Sequence, residues 1–160
     1  MLETLLPGAQ HLQNVHPLVV HFPLAFLGGA ALLYGLAWVT GRDSLATIGL
    51  WLLILGTIAA VTAVATGLWA EDGVMVAPSV RAELLEQHER LMLMTLGLSV
   101  ALAAWALVAR PLPARGRAVF LILFLVLLAL MSRGADFGGR MVYDYNAGGS
   151  ACPQPIEFTR

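Results

Sequence analysis

The chain has 160 residues, of which 59% are hydrophobic and 12% charged, with a mean hydropathy of +0.80, whereas an ordinary soluble domain is near half apolar and a quarter charged. It therefore reads as a membrane protein, with the lipid bilayer as its first partner. Lysine is absent and nine arginines against ten acids leave a formal charge of −1, so there is no basic surface of the kind nucleic acid requires. A lone cysteine, Cys152, excludes an internal disulfide, a thiolate zinc site and a covalently attached c-type haem.

Charges divide the chain into four uncharged stretches, 4–41, 44–70, 91–109 and 118–132. About 20 apolar residues are needed to cross the hydrocarbon, and the first three stretches have them. The fourth spans if Arg117 and Arg133 snorkel to the two interfaces. Four transmembrane helices are expected near 17–40, 45–70, 80–109 and 117–132, forming an all-α, up-down-up-down bundle in one domain, followed by a short tail, 133–160. Pro78 and Ser79 look like a helix start, so the third helix should begin with a charged turn or two outside the membrane.

Arginines in short loops resist translocation. Arg42 follows the first helix and Arg110, Arg115 and Arg117 follow the third, so these connections are expected in the cytoplasm of a bacterial cell. Both termini and the 71–90 connection then face the periplasm. The N-terminal segment lacks a basic region and a small-residue cleavage site, so the first helix should stay as an anchor of this multi-pass inner-membrane protein.

The second helix carries small residues at Gly49, Gly56, Ala60, Ala63 and Gly67 on one stripe, the usual means of close helix packing in lipid. The first carries a similar stripe, Ala25, Gly28, Ala31 and Gly35, beneath His21. Trp38, Trp51, Trp69 and Trp105 lie near helix ends and read as interface aromatics.

Of the four histidines, His21 and His88 open helices that start on the same side and sit diagonally in such a bundle. Two imidazoles approaching one object from opposite sides are what a b-type haem requires, with Ala25 and Gly28 below one and Met92, Thr95 and Ser99 below the other. His16 lies about 140° around the helix from His21, and Pro17 biases it toward extended backbone. It is assigned to a second site nearer water, a propionate contact or proton handling. His11 should be exposed. Arg90, Arg133 and Arg140, with Arg81, fall on the same side and could meet haem propionates, or simply snorkel. Structural hydrogen bonding is the plain alternative for the histidines. A third possibility is a copper, zinc or iron ion on His16, His21 and His88, with a carboxylate such as Glu89.

The run His16-Pro-Leu-Val-Val-His-Phe-Pro23 ahead of a Gly-Ala-rich helix resembles the opening of a family of small prokaryotic four-helix membrane proteins, the domain-of-unknown-function family 2231. The likeness continues in Thr66-Gly67-Leu68, in His88, and in Gly138-Gly139-Arg140-Met141-Val142-Tyr143, similar to that family's closing GGxLVY pattern. It runs from about residue 14 to about residue 147. The tail departs from the pattern at Asp144, Tyr145 and Asn146. The resemblance implies a four-helix integral membrane fold and adds weight to His16, His21 and His88; it implies no activity.

These observations favour an electron-transfer subunit with one bis-histidine haem b near the outer face, linking the quinone pool with periplasmic or membrane redox subunits and not acting as an enzyme on its own. A metal-binding or transport protein and a purely structural subunit of a larger complex are the competing readings.

Overall fold

The computed structural model describes residues 15–73 and 77–147. The elements are α1 (His16–Val19), α2 (His21–Thr40), α3 (Asp43–Glu71), α4 (Pro78–Val80), a π-helical stretch Arg81–Leu85, α5 (Glu86–Ala109) and α6 (Arg117–Tyr143). They make four apolar spans, His16–Thr40, Asp43–Glu71, Pro78–Ala109 and Arg117–Tyr143, each long enough to cross a bilayer. Consecutive spans pack side by side and the first also touches the fourth. The first and third are therefore diagonal, as expected of an up-down-up-down bundle.

Buried residues of the first, second and fourth spans recur at steps of three and four, apart from double steps of seven near the histidine end of the second and fourth. In the first they are Pro23, Leu27, Ala30, Tyr34 and Ala37; in the second Ala46, Gly49, Leu53, Gly56, Ala60, Ala63 and Ala70. The fourth buries Phe120, Phe124, Leu127, Met131, Gly134 and Met141. A repeat near 3.5 keeps one seam facing its neighbours along the whole span. The remaining faces are apolar and exposed, including Leu32, Val39, Trp51 and Val108, as a lipid-facing surface requires.

The small stripe of the second span is the seam. A Cβ at Gly49 would lie 3.4 Å from the Tyr34 ring, and one at Gly56 would come 2.7 Å from Leu27 Cδ2. The stripe of the first span is not: Ala25 is exposed and a Cβ at Gly28 or Gly35 would meet nothing within 4 Å. Larger residues, Leu27 and Tyr34, enter the grooves left by the glycines of the second span, so Ala25, Gly28 and Gly35 turn away from it.

The end of the bundle at the 41–42 and 110–116 connections is closed by aromatic side chains. Tyr34 packs edge-on against Phe120, with centroids 5.0 Å apart, and its hydroxyl donates to the Pro111 carbonyl at 3.2 Å. Trp105 packs on Phe120 at 5.6 Å, so this tryptophan faces the bundle, whereas Trp38, Trp51 and Trp69 are exposed as interface aromatics are.

Two boundaries differ from expectation. His16 is helical, at the start of α1, because Pro17 falls in the first turn where its missing N–H is no loss. The irregularity comes later, at Val20, because Pro23 cannot donate to the carbonyl of Val19 and its ring crowds that oxygen. The fourth span continues past residue 132 to Tyr143. No proline follows Ser132 before Tyr143, Arg133 and Arg140 pair with Asp136 and Asp144 one turn on, and Gly134 and Gly138 pack against the third span. Residues 133–143 are thus helix rather than tail.

Candidate functional site

The buried stripe of the first span, traced back from Pro23 by seven residues, arrives at His16. His21 is two residues from Pro23, about 200° around the helix, and is exposed. The expectation that His21 faces His88 is therefore corrected: the imidazole across from His88 is that of His16. Their ring centroids lie 6.4 Å apart with planes at 85°. Only one of two histidines five positions apart can enter the bundle, and the 3.5-residue stripe selects His16.

Each ring is held by a neighbouring span. His16 Nδ1 is 3.2 Å from Thr66 Oγ1; that hydroxyl lies 3.0 Å from the carbonyls of both Thr62 and Ala63, to which it donates, so it is oriented by its own helix. His88 Nδ1 lies 2.7 Å from the Gly134 carbonyl and donates to it. This places the proton of His88 on Nδ1, leaving Nε2 with a lone pair when the ring is neutral. Engagement of one ring nitrogen by a carbonyl or hydroxyl is the arrangement that orients a histidine for ligation through the other.

Glycines make room for both rings. A Cβ on Gly67 would come 3.0 Å from His16 Cε1, and a Cβ on Gly138 would come 3.0 Å from His88 Cε1. A Cβ on Gly134 would collide with the Met92 methyl. Thr66, Gly67, Gly134 and Gly138 thus shape the histidine layer without offering a ligating side chain. Their signal in the sequence was the Thr-Gly and Gly-Gly pairs, whose meaning needs the partner helix.

Below this layer Thr95 and Ser99 are buried, but their hydroxyls donate to Leu91 and Leu96 of their own helix at 2.8 Å. Above it a second small core, Ala77, Val80, Leu84, Met141 and Ala147 with Leu85 and Phe137, closes the end. The Arg81–Glu71 ion pair ties the π-helical stretch to the second span. That stretch lies directly before the turn that carries His88, and such π-turns recur at functional sites because they re-aim the next side chain.

Three of the four candidate propionate partners, Arg81, Arg133 and Arg140, are engaged in ion pairs. Arg133 pairs with Asp136 at 2.8 Å and lies over the Phe137 ring at 4.5 Å. Arg140 is 3.7 Å from Asp144, and Arg90 is exposed. No group of three or more His, Cys, Asp or Glu side chains near enough to share an ion occurs among the described residues. His11 and Cys152 lie outside them.

The family model described as predicted membrane protein, DUF2231, matches residues 12–151. The chain belongs to the DUF2231 family. No curated protein and no solved structure matches it. His16, Thr66-Gly67, His88 and Gly138 are spread over more than 120 residues of sequence. In this DUF2231 chain they meet in a single layer at one end of the bundle.

Proposed function

We propose that the chain is a membrane-embedded electron-transfer subunit in which His16 and His88 provide the two axial nitrogens of one haem b. The observation that supports this is the imidazole pair itself, on diagonal spans at one depth, with centroids 6.4 Å apart. Two metal–nitrogen bonds of about 2.0 Å, plus about 1.2 Å from each nitrogen to its ring centre, give about 6.4 Å for two imidazoles on opposite sides of one metal. The centroid separation is compatible with two imidazoles sharing one iron. A bare copper, zinc or iron ion is supported less well, because it ordinarily takes three or four protein ligands and the described residues bring two together.

Bound haem would supply reversible one-electron chemistry at an iron with no open position, suited to electron transfer rather than oxygen activation. The chain's own residues do the rest. Thr66 and the Gly134 carbonyl set the imidazole orientations, and the Ala77–Ala147 core covers the layer. The arginines of the 42 and 110–117 connections support a reading in which this end faces the periplasm of a bacterial cell, where a quinone or a periplasmic redox subunit could exchange electrons with it.

The test is the absorption spectrum of protein purified in mild detergent from haem-replete cells. A low-spin Soret band with sharp reduced α and β bands is expected, abolished or converted by His16→Ala and by His88→Ala and unchanged by His21→Ala. Wild-type protein without haem, or an unaltered spectrum in His16→Ala, would overturn the assignment.

A further inference from the structure

The two ends of the bundle treat their charges differently. All three ion pairs among the described residues, Arg81–Glu71, Arg133–Asp136 and Arg140–Asp144, lie at the histidine end. The other end carries Arg42, Arg110, Arg115 and Arg117 against one acid, Asp43, and none of these four arginines is in an ion pair.

Three of these cations, Arg110, Arg115 and Arg117, belong to one packed connection. Leu112 and Pro113 are buried, Tyr34 holds the Pro111 carbonyl, and Gly116, with φ at 80°, abuts the Trp105 ring. Arg110 Nε donates to the Leu107 carbonyl at 3.1 Å, and the residue is exposed. Arg117 Nε is buried and has no hydrogen-bond partner, and a buried donor without an acceptor is costly. Around it the first turn of the fourth span holds no acid and has no side-chain cap, so its backbone N–H groups add to the demand for an anionic oxygen.

The ligand must also suit an apolar flank. Val39, three residues before Arg42, is 84% exposed and Val108, two before Arg110, is 87% exposed. Unpaired guanidinium groups beside bare aliphatic side chains call for a molecule with an anionic head and a hydrocarbon tail. We infer that this end, centred on Arg115 and Arg117, binds the phosphate of an anionic phospholipid. The lipid head supplies the charge that Asp43 does not balance, and its acyl chains cover the adjoining helix faces.

The experiment incorporates the full chain into nanodiscs of equal phosphatidylglycerol and phosphatidylcholine, then measures by mass spectrometry the lipid retained after repeated detergent washing. Wild-type protein should retain phosphatidylglycerol in preference. Arg115→Gln and Arg117→Gln should each lower that preference about fivefold, the weight of one arginine at an anionic surface, whereas Arg81→Gln at the other end should leave it unchanged. If Arg117→Gln does not fold, the exposed pair Arg110→Gln and Arg115→Gln carries the same expectation. Equal retention of the two lipids by the wild type would overturn the proposal, as would a preference that survives these substitutions. Release of the retained lipid by millimolar inorganic phosphate would assign the site to free phosphate and overturn it too.

Discussion

The packing of the first two spans makes a prediction whose sign depends on which way a glycine faces. At Gly56 an added methyl would lie 2.7 Å from Leu27 Cδ2, 2.8 Å from Cγ and 3.1 Å from the Leu27 backbone nitrogen. Leu27 has 0% exposure, so its side chain has no free space to enter, and the backbone contact can relax only if the helices part. Overpacking of this kind costs about 1–3 kcal/mol, against a gain of about 1 kcal/mol from replacing glycine by alanine within a helix. Gly56→Ala should therefore be neutral to destabilising, by up to about 2 kcal/mol. Gly28→Ala, whose methyl meets nothing within 4 Å, should instead stabilise by about 0.5–1 kcal/mol. Reversible unfolding in mixed detergent, followed by circular dichroism, reads both. If Gly56→Ala proves as stabilising as Gly28→Ala, the second-span stripe is not the seam and the assignment of helix faces fails.

At the histidine layer, Gly138→Ala should push the His88 ring, 3.0 Å from the new methyl, and lower bound haem in the purified protein relative to Gly139→Ala, whose methyl would come no nearer than 3.9 Å to Tyr143. Equal haem content in the two variants would count against His88 as a ligand. Tyr34→Phe removes the hydrogen bond to Pro111 and should cost about 0.5–1.5 kcal/mol in the same unfolding assay. Glu71→Gln, in an ion pair whose side chains are 31–41% exposed, should cost at most about 1 kcal/mol, with the difference shrinking in high salt. A reporter that is active only outside the cytoplasm, fused after Arg160, should be active; a cytoplasmic signal would reverse the proposed orientation of the histidine end.

The four spans were legible from composition and charge spacing because, in hydrocarbon, a backbone without water must close its own hydrogen bonds. Length and apolarity alone are then enough to fix helix and number. The second-span seam was legible too, since Gly49, Gly56 and Ala63 keep a spacing that no lipid contact would require. The start of the third span was readable at Pro78, where a local steric rule operates.

Which histidine enters the bundle was decided only by tertiary packing. His16 and His21 are both followed by apolar residues, and the small stripe beneath His21 looked like space for a ligand. The choice turned on Leu27 and Tyr34, which fill the grooves at Gly56 and Gly49 and so rotate the first span until His16 points inward and Gly28 and Gly35 outward. The roles of Thr66, Gly67, Gly134 and Gly138 were hidden for the same reason. A glycine records in its own helix only that a side chain is absent, and what occupies the vacant volume belongs to another helix, 42 or more residues away in sequence for these glycines. Sequence determined that this chain has four spans able to cross a membrane, with His16, His21 and His88 toward one end; the fit of large side chains into small ones determined which two of them meet.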